Sequence, residues 1–169
     1  MTEGHPEQPW YDTVVIPVLL RHARTAYGAA MRAALARIGC DDMPRNGMYV
    51  VGGMAMGAGG LPLSQLVKEL AVSKQSAGQL VDTLVLRGYL DRAPDPEDRR
   101  KISITLTPRG HAAAAAQAAA RERVDAALAA RVGADCVAAM RKGLGVLCGI
   151  GRQETGQETG QETDHDRDR

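Results

Sequence analysis

Two clusters of side chains have the types and spacing that suit contact with a nucleic-acid duplex. Lys74, Gln75, Ser76, Gln79 and Thr83 fall within one stretch of helical periodicity. Such residues donate or accept hydrogen bonds at base edges and phosphates, and glutamine pairs well with adenine. Asp98, Arg99, Arg100 and Lys101 follow the turn signal Pro94, Asp95, Pro96, which puts a mainly cationic run at a hairpin tip. A guanidinium is always charged and suits a narrow groove, where negative potential is concentrated. Taken singly, the first cluster is also a solvated helix face and the second a charged loop that keeps the protein soluble. Their adjacency in the chain favours the nucleic-acid reading, although Asp91 and Asp95 weaken general phosphate attraction.

The elements that must position these clusters can be read around them. Ser64 to Leu70 has the spacing of a short helix, with Leu66, Val67 and Leu70 inward. Ser73 is a good N-cap for a following helix with apolar Ala77, Leu80, Val81, Leu84 and Val85, ending near Arg87 and Gly88. Tyr89 to Arg92 reads as a strand, and Ile102, Ile104 and Leu106 alternate with Ser103, Thr105 and Thr107 as a second. Before this core, Trp10 to Ile38 predicts a long helix with a kink at Pro17, and Pro44 opens another through Met54. After it, an Ala-rich helix from Pro108 to about Arg131 and a further helix over Asp135 to Leu147 are interrupted at Gly133. From Gly151 the repeated Gln-Glu-Thr-Gly has no core residues and predicts a disordered tail.

Composition narrows the class. Hydrophobic residues are 44% and charged residues 24% of 169 residues, ordinary values for a soluble globular chain. The net charge is +1, so affinity for nucleic acid must come from charge placement. There is no apolar run long enough to span a membrane and no signal-peptide pattern at the start, which predicts a cytoplasmic protein without a membrane partner. Cys40, Cys136 and Cys148 form neither a CxxC pair nor a zinc spacing and read as thiols. No nucleophile and base set, paired carboxylates or phosphate-binding loop is visible, so the expectation is a non-enzyme that needs no cofactor or metal.

The order strand, helix, turn, helix, strand, charged hairpin, strand is that of a winged helix-turn-helix. The stretch LPLSQLVKELAVSKQSAGQLVDTLVLRGYLDRAPDPEDRRKISITLTPRG resembles the DNA-binding core of the MarR family of transcriptional regulators. The resemblance rests on the Ser-started helix with Leu-Val-Asp, the Gly-aromatic strand start, the Asp-Arg-Arg wing and Leu-Thr-x-x-Gly. It implies that Arg100 enters the minor groove and that Asp98 holds its guanidinium. The family usually has a basic residue where this chain has Gln79, and a Ser where it has Gly78. Gly78 costs the helix about 1 kcal/mol relative to Ala, but allows close approach either to DNA or to a neighbouring helix.

The expected fold is mainly α with a small antiparallel β-wing: a winged helix-turn-helix flanked by N- and C-terminal dimerisation helices. The expected segments are a flexible start (1–9), a dimerisation helix and loop (10–43), the winged domain (44–107), C-terminal dimerisation helices (108–150) and the tail (151–169). The expected function is a homodimeric repressor on a pseudo-palindromic duplex operator, released by a small aromatic ligand. The resemblance points to an effector pocket between the dimerisation helices and the winged domain, for which His22, Tyr27, Met31, Tyr49 and Met54 are the candidates. Four of the five aromatic residues fall in the first 49 positions, beside that place. Two alternatives stand beside this reading: a winged module for protein association, and a thiol-based redox regulator, disfavoured because Asp41 and Asp42 would lower the thiolate fraction of Cys40.

Overall fold

Val15 is extended and has no capping side chain; the helix that follows it, α1 (Ile16–Arg37), carries Pro17 in its first turn. There the missing N–H costs nothing and the fixed φ is already helical, so Pro17 starts the helix where the sequence predicts a kink. Trp10–Asp12 forms a separate turn of 3-10 helix ahead of it. The computed structural model describes residues 9–56, 64, 67–68, 70, 72–94 and 102–161. The predicted helix at Ser64–Leu70 and the wing tip lie largely or wholly outside these.

Pro44 caps α2 (Arg45–Met54). Ser73 then caps α3 (Lys74–Leu86), its Oγ accepting from the Ser76 backbone N–H at 3.1 Å. Gly88, at φ +71°, turns the chain from α3 into β1 (Leu90–Pro94), which pairs antiparallel with β2 (Ile102–Leu106). The register sets Leu90 opposite Leu106 and Arg92 opposite Ile104. Leu35, Val50, Val51, Val81, Leu84, Tyr89, Leu90, Ala113 and Ala114 form one buried cluster, and Ile104 and Leu106 pack against it. Each element thus contributes one face of its period, and burial of these side chains drives the folding.

The Leu-Thr-x-x-Gly segment joins hairpin and helix by a specific device. Thr107 donates through its N–H to Tyr89 O at 3.2 Å and through Oγ1 to Gly88 O at 2.6 Å, and Oγ1 accepts from Gly110 N at 3.0 Å. It therefore starts α4 (Pro108–Val132) and anchors it to the root of the hairpin. A Cβ on residue 110 would lie 2.2 Å from Tyr89 O, so only glycine fits there.

Contacts divide the chain between Val124 and Asp125, inside α4, whereas the sequence suggests a boundary before Pro108. The reason is that Gly110, Ala113, Ala114, Gln117 and Ala120 are buried with the first unit's core. In the second unit, α4 ends before Gly133 (φ +81°) and α5 runs over Ala134–Gln161. The helical backbone continues past the predicted end near Leu147 into the Gln-Glu-Thr-Gly repeats. Gln and Glu are good helix formers and no proline intervenes, so helix propagates where a disordered tail is expected. Arg141 pairs with Asp125 at 3.2 Å. Val137, Met140, Leu144 and Leu147 recur at three- and four-residue spacing, and Met140, Val146, Leu147 and Ile150 are exposed. No helix among the described residues is long and apolar enough to cross a membrane.

Candidate nucleic-acid interface

The apolar side of α3 buries Ala77, Val81 and Leu84, which leaves Lys74, Gln75, Ser76 and Gln79 together on the exposed side. Two of the predicted hydroxyls are engaged within the helix. Ser76 Oγ lies 2.9 Å from Ser73 Oγ, and Thr83 Oγ1 donates to Gln79 O at 2.7 Å. Among the described residues, the hydrogen-bonding side chains left unengaged on this face are therefore Lys74, Gln75 and Gln79. A Cβ on Gly78 would meet nothing within 4 Å among the described residues, so packing against none of the described helices explains this glycine. Asp98, Arg99, Arg100 and Lys101 lie outside the described residues.

An ion pair absent from the sequence reading joins helix and hairpin. Arg92 of β1 donates to Asp82 of α3, with both side chains exposed. Beneath it lies a second polar cluster. Tyr89, fully buried by residue, donates to Asp42 Oδ1, and the Arg109 guanidinium sits 4.4 Å over its ring. Arg109 also donates to Asp42 Oδ1 at 3.0 Å, to Gly39 O at 3.1 Å and to Arg87 O, while Arg87 donates to Asp42 O. The Tyr89 hydroxyl, with help from Arg109 and Arg87, holds the Asp42 carboxyl below its usual range. Burial, and then the bond to Asp42, pushes the Tyr89 phenol above its ordinary value. This cluster fixes the loop after α1, the end of α3 and the start of α4 on one another. Cys40 is buried beside it in the core; Cys136 and Cys148 are exposed.

The first unit also holds a cleft of about 1020 Å³ between α1, α2 and α4. Of the predicted ligand residues, Met31 and Tyr49 line it. Met54 packs against the core instead, and His22 and Tyr27 are not part of the lining. Residues outside those five make up most of the described wall, among them Met48, which the helix after Pro44 also offers. Met43, Met48 and Met56 supply apolar surface, and Arg24, Arg32, Arg45 and Arg121 are its charged groups. Gln117 reaches the cleft from α4 with its carboxamide buried. The available signal was its place in the alanine stripe Ala113, Ala114, Gln117, Ala120, where a buried polar residue interrupts small apolar ones.

Residues 41–101 match the family model described as MarR family. This segment belongs to the MarR family. The multiple antibiotic resistance protein MarR of Salmonella typhimurium is 34% identical over 55 residues, which cover 32% of this chain and 38% of that protein. The chain thus spans well under half the length of the curated relative it matches. The MarR-type winged-helix fold extends further than the sequence match. Streptococcus pneumoniae FabT, solved in complex with DNA, superposes with a TM-score of 0.66 at 20% identity over 82% of this chain and 96% of that one. S. aureus MepR, solved bound to ethidium bromide, has a TM-score of 0.52 at 16% identity over 82% of this chain and 98% of the other.

Proposed function

We propose that this chain is a homodimeric, sequence-specific DNA-binding regulator of transcription, and that it acts as a repressor released from a pseudo-palindromic operator by a small ligand. The observation that carries the reading is α3: its apolar side is locked into the core while Lys74, Gln75 and Gln79 stand free, and Asp82 ties it to the hairpin strand beside it. In a winged helix such a helix enters the major groove, where Gln75 and Gln79 are suited to adenine edges and Lys74 to a phosphate. Arg100 then reaches the adjoining minor groove, with Asp98 as its tether. FabT, which has the same fold, is solved in complex with DNA, and this supports DNA as the partner.

Dimerisation is supported by the exposed apolar surface that each unit carries on its own: Trp10, Tyr11, Val15 and Ile16 in the first, and Met140, Val146, Leu147 and Ile150 in the second. A second copy would cover such patches, and two winged units would read half-sites about one helical turn apart. Ligand control is supported by the cleft and by the bound ligand in MepR.

The test is binding to duplexes that the protein selects from a random pool, measured by fluorescence anisotropy over a range of salt. The parent should bind with a steep salt dependence. Arg100→Ala should cost about 1 to 3 kcal/mol per half-site and lower the salt slope by about one counterion. Gln79→Ala should flatten discrimination between selected and scrambled duplexes while leaving the slope nearly unchanged. Absence of salt-dependent duplex binding by the parent would leave a protein-association module as the reading.

A further inference from the structure

Gly78 lies inside α3 and is exposed. A glycine there weakens the helix relative to alanine, because it loses more backbone freedom on folding. Other glycines of the first unit have a reason within the fold. Gly88 has φ +71°, and a Cβ on Gly47 or Gly110 would lie 2.8 Å from Leu84 Cδ2 or 2.2 Å from Tyr89 O. Gly78 has neither reason: its backbone is helical and not left-handed, and the space over its Cα is open among the described residues. Its place on the helix supplies another. Gln75, Gly78, Gln79 and Asp82 recur at helical spacing on the side away from the buried Ala77, Val81 and Leu84. Gly78 therefore leaves a notch beside the two glutamines, in the middle of the face that would read a duplex.

The major-groove edge of a duplex presents donors, acceptors and one apolar group, the C5-methyl of thymine. A residue without a side chain adds no donor or acceptor of its own, and the N–H and C=O groups of a helix interior are already bonded. What Gly78 offers is a shallow apolar recess at its Cα. We propose that Gly78 is a specificity-determining residue whose recess admits the C5-methyl of a thymine. The helix can then seat close to the base edges while Gln75 and Gln79 bond to adenine. Thymine is the partner of adenine, so the recess and the two glutamines favour the same A·T pairs. An alanine at this position would place a second methyl where the base already brings one, and the helix would have to lift. The inference rests on the DNA-binding reading and deepens it, because it names a base feature that the helix selects.

The experiment measures binding of the full chain, by fluorescence anisotropy, to duplexes that the parent selects from a random pool. Each thymine is replaced in turn by deoxyuridine, which lacks only the methyl. In the parent, replacement at one thymine of a half-site should weaken binding about fourfold, the worth of one buried methyl. Gly78→Ala should bind the unmodified duplex about tenfold more weakly, as an overpacked contact does. It should regain affinity on the duplex with deoxyuridine at that same thymine, because its own methyl then fills the space. Without DNA, Gly78→Ala should melt about 2 to 4 °C above the parent, since an exposed helix interior gains from alanine. The proposal is overturned if no deoxyuridine replacement changes binding by the parent, a result that needs no variant. It is overturned too if Gly78→Ala binds the selected duplex as the parent does. Weakening of every duplex by one factor, deoxyuridine or not, would mark approach to a phosphate and overturn it, and a lower melting temperature would mark a glycine that the fold requires. Absence of duplex binding by the parent overturns the DNA-binding reading and this inference with it, whereas every other outcome is read on a parent that binds and bears on Gly78 alone.

Discussion

Tyr89 and Gln117 are both buried polar side chains of the first unit, and they are treated in opposite ways. The Tyr89 hydroxyl donates to Asp42, and Arg109 covers its ring while bonding the same carboxylate and two backbone carbonyls. Gln117 has two polar atoms and no partner among the described residues. The first group is a joint, because every member is satisfied and three segments are held by it. The second lines a cleft whose charged groups, among the described residues, are arginines. Burial alone does not say whether a polar group is paired; its hydrogen bonds do.

The sharpest way to break the joint is steric. Gly110→Ala would drive a methyl into Tyr89 O, which lies 2.2 Å from its ideal position, and should destabilise the fold by about 3 kcal/mol in chemical denaturation. Asp42→Ala comes next, because it orphans the Tyr89 hydroxyl and removes an acceptor of Arg109; it should cost about 2 kcal/mol, and Tyr89→Phe less, since that change removes the stranded donor along with its bond.

The joint also has a pH signature. The Asp42 carboxyl is held below its ordinary 3.8, so its contribution is present at neutral pH and is lost as the pH falls below that value and through the lowered one. The Tyr89 phenol is raised above 10.0, so the unfolded chain ionises first and stability falls as the pH climbs past 10.0. Denaturation midpoints followed against pH should therefore lose part of the alkaline limb in Tyr89→Phe and part of the acid limb in Asp42→Ala. Asp42 is 39% exposed, so solvent screening should hold its acid effect to about 1 kcal/mol or less.

The smallest expected effect has the opposite sign. Without ligand, Gln117→Leu should leave stability unchanged or raise it by about 1 kcal/mol, because an unpaired carboxamide is replaced by an apolar group of similar volume. A clear loss of stability would put Gln117 in the same class as Tyr89 and erase the contrast between the two.

Much of the architecture was legible because it is local. The Ser73 cap, the apolar period through Ala77, Val81 and Leu84, and the alternation at Ile104 and Leu106 are short-range patterns, and the structure has α3, β1 and β2 where they predict them. Pro17 starts α1 and does not kink it, because a proline's effect depends on whether it stands in the first turn or beyond it, and weak propensities set that boundary. The Gln-Glu-Thr-Gly repeats were read from what they lack, core residues, although their helix propensity was visible in the same letters. For the cleft, aromatic and sulfur content near the start of the chain drew attention to Met31 and Tyr49, but not to Arg121 or Gln117.

By itself, then, the sequence determined the order of helices and strands, the polar face of the helix after Ser73 and the MarR-type pattern of residues 41–101, because each depends on neighbours a turn or a strand-step away. Only the tertiary structure decided that Gly52, Met31, Gln117 and Arg121 meet at one cleft, that Asp42, Tyr89 and Arg109 close on one another, and that Gly110 must be glycine. These groups stand on segments far apart in the chain. Whether a carboxamide there is paired or orphaned is set by the shape left when α1, α2 and α4 bury their apolar faces together, and no local period carries that information.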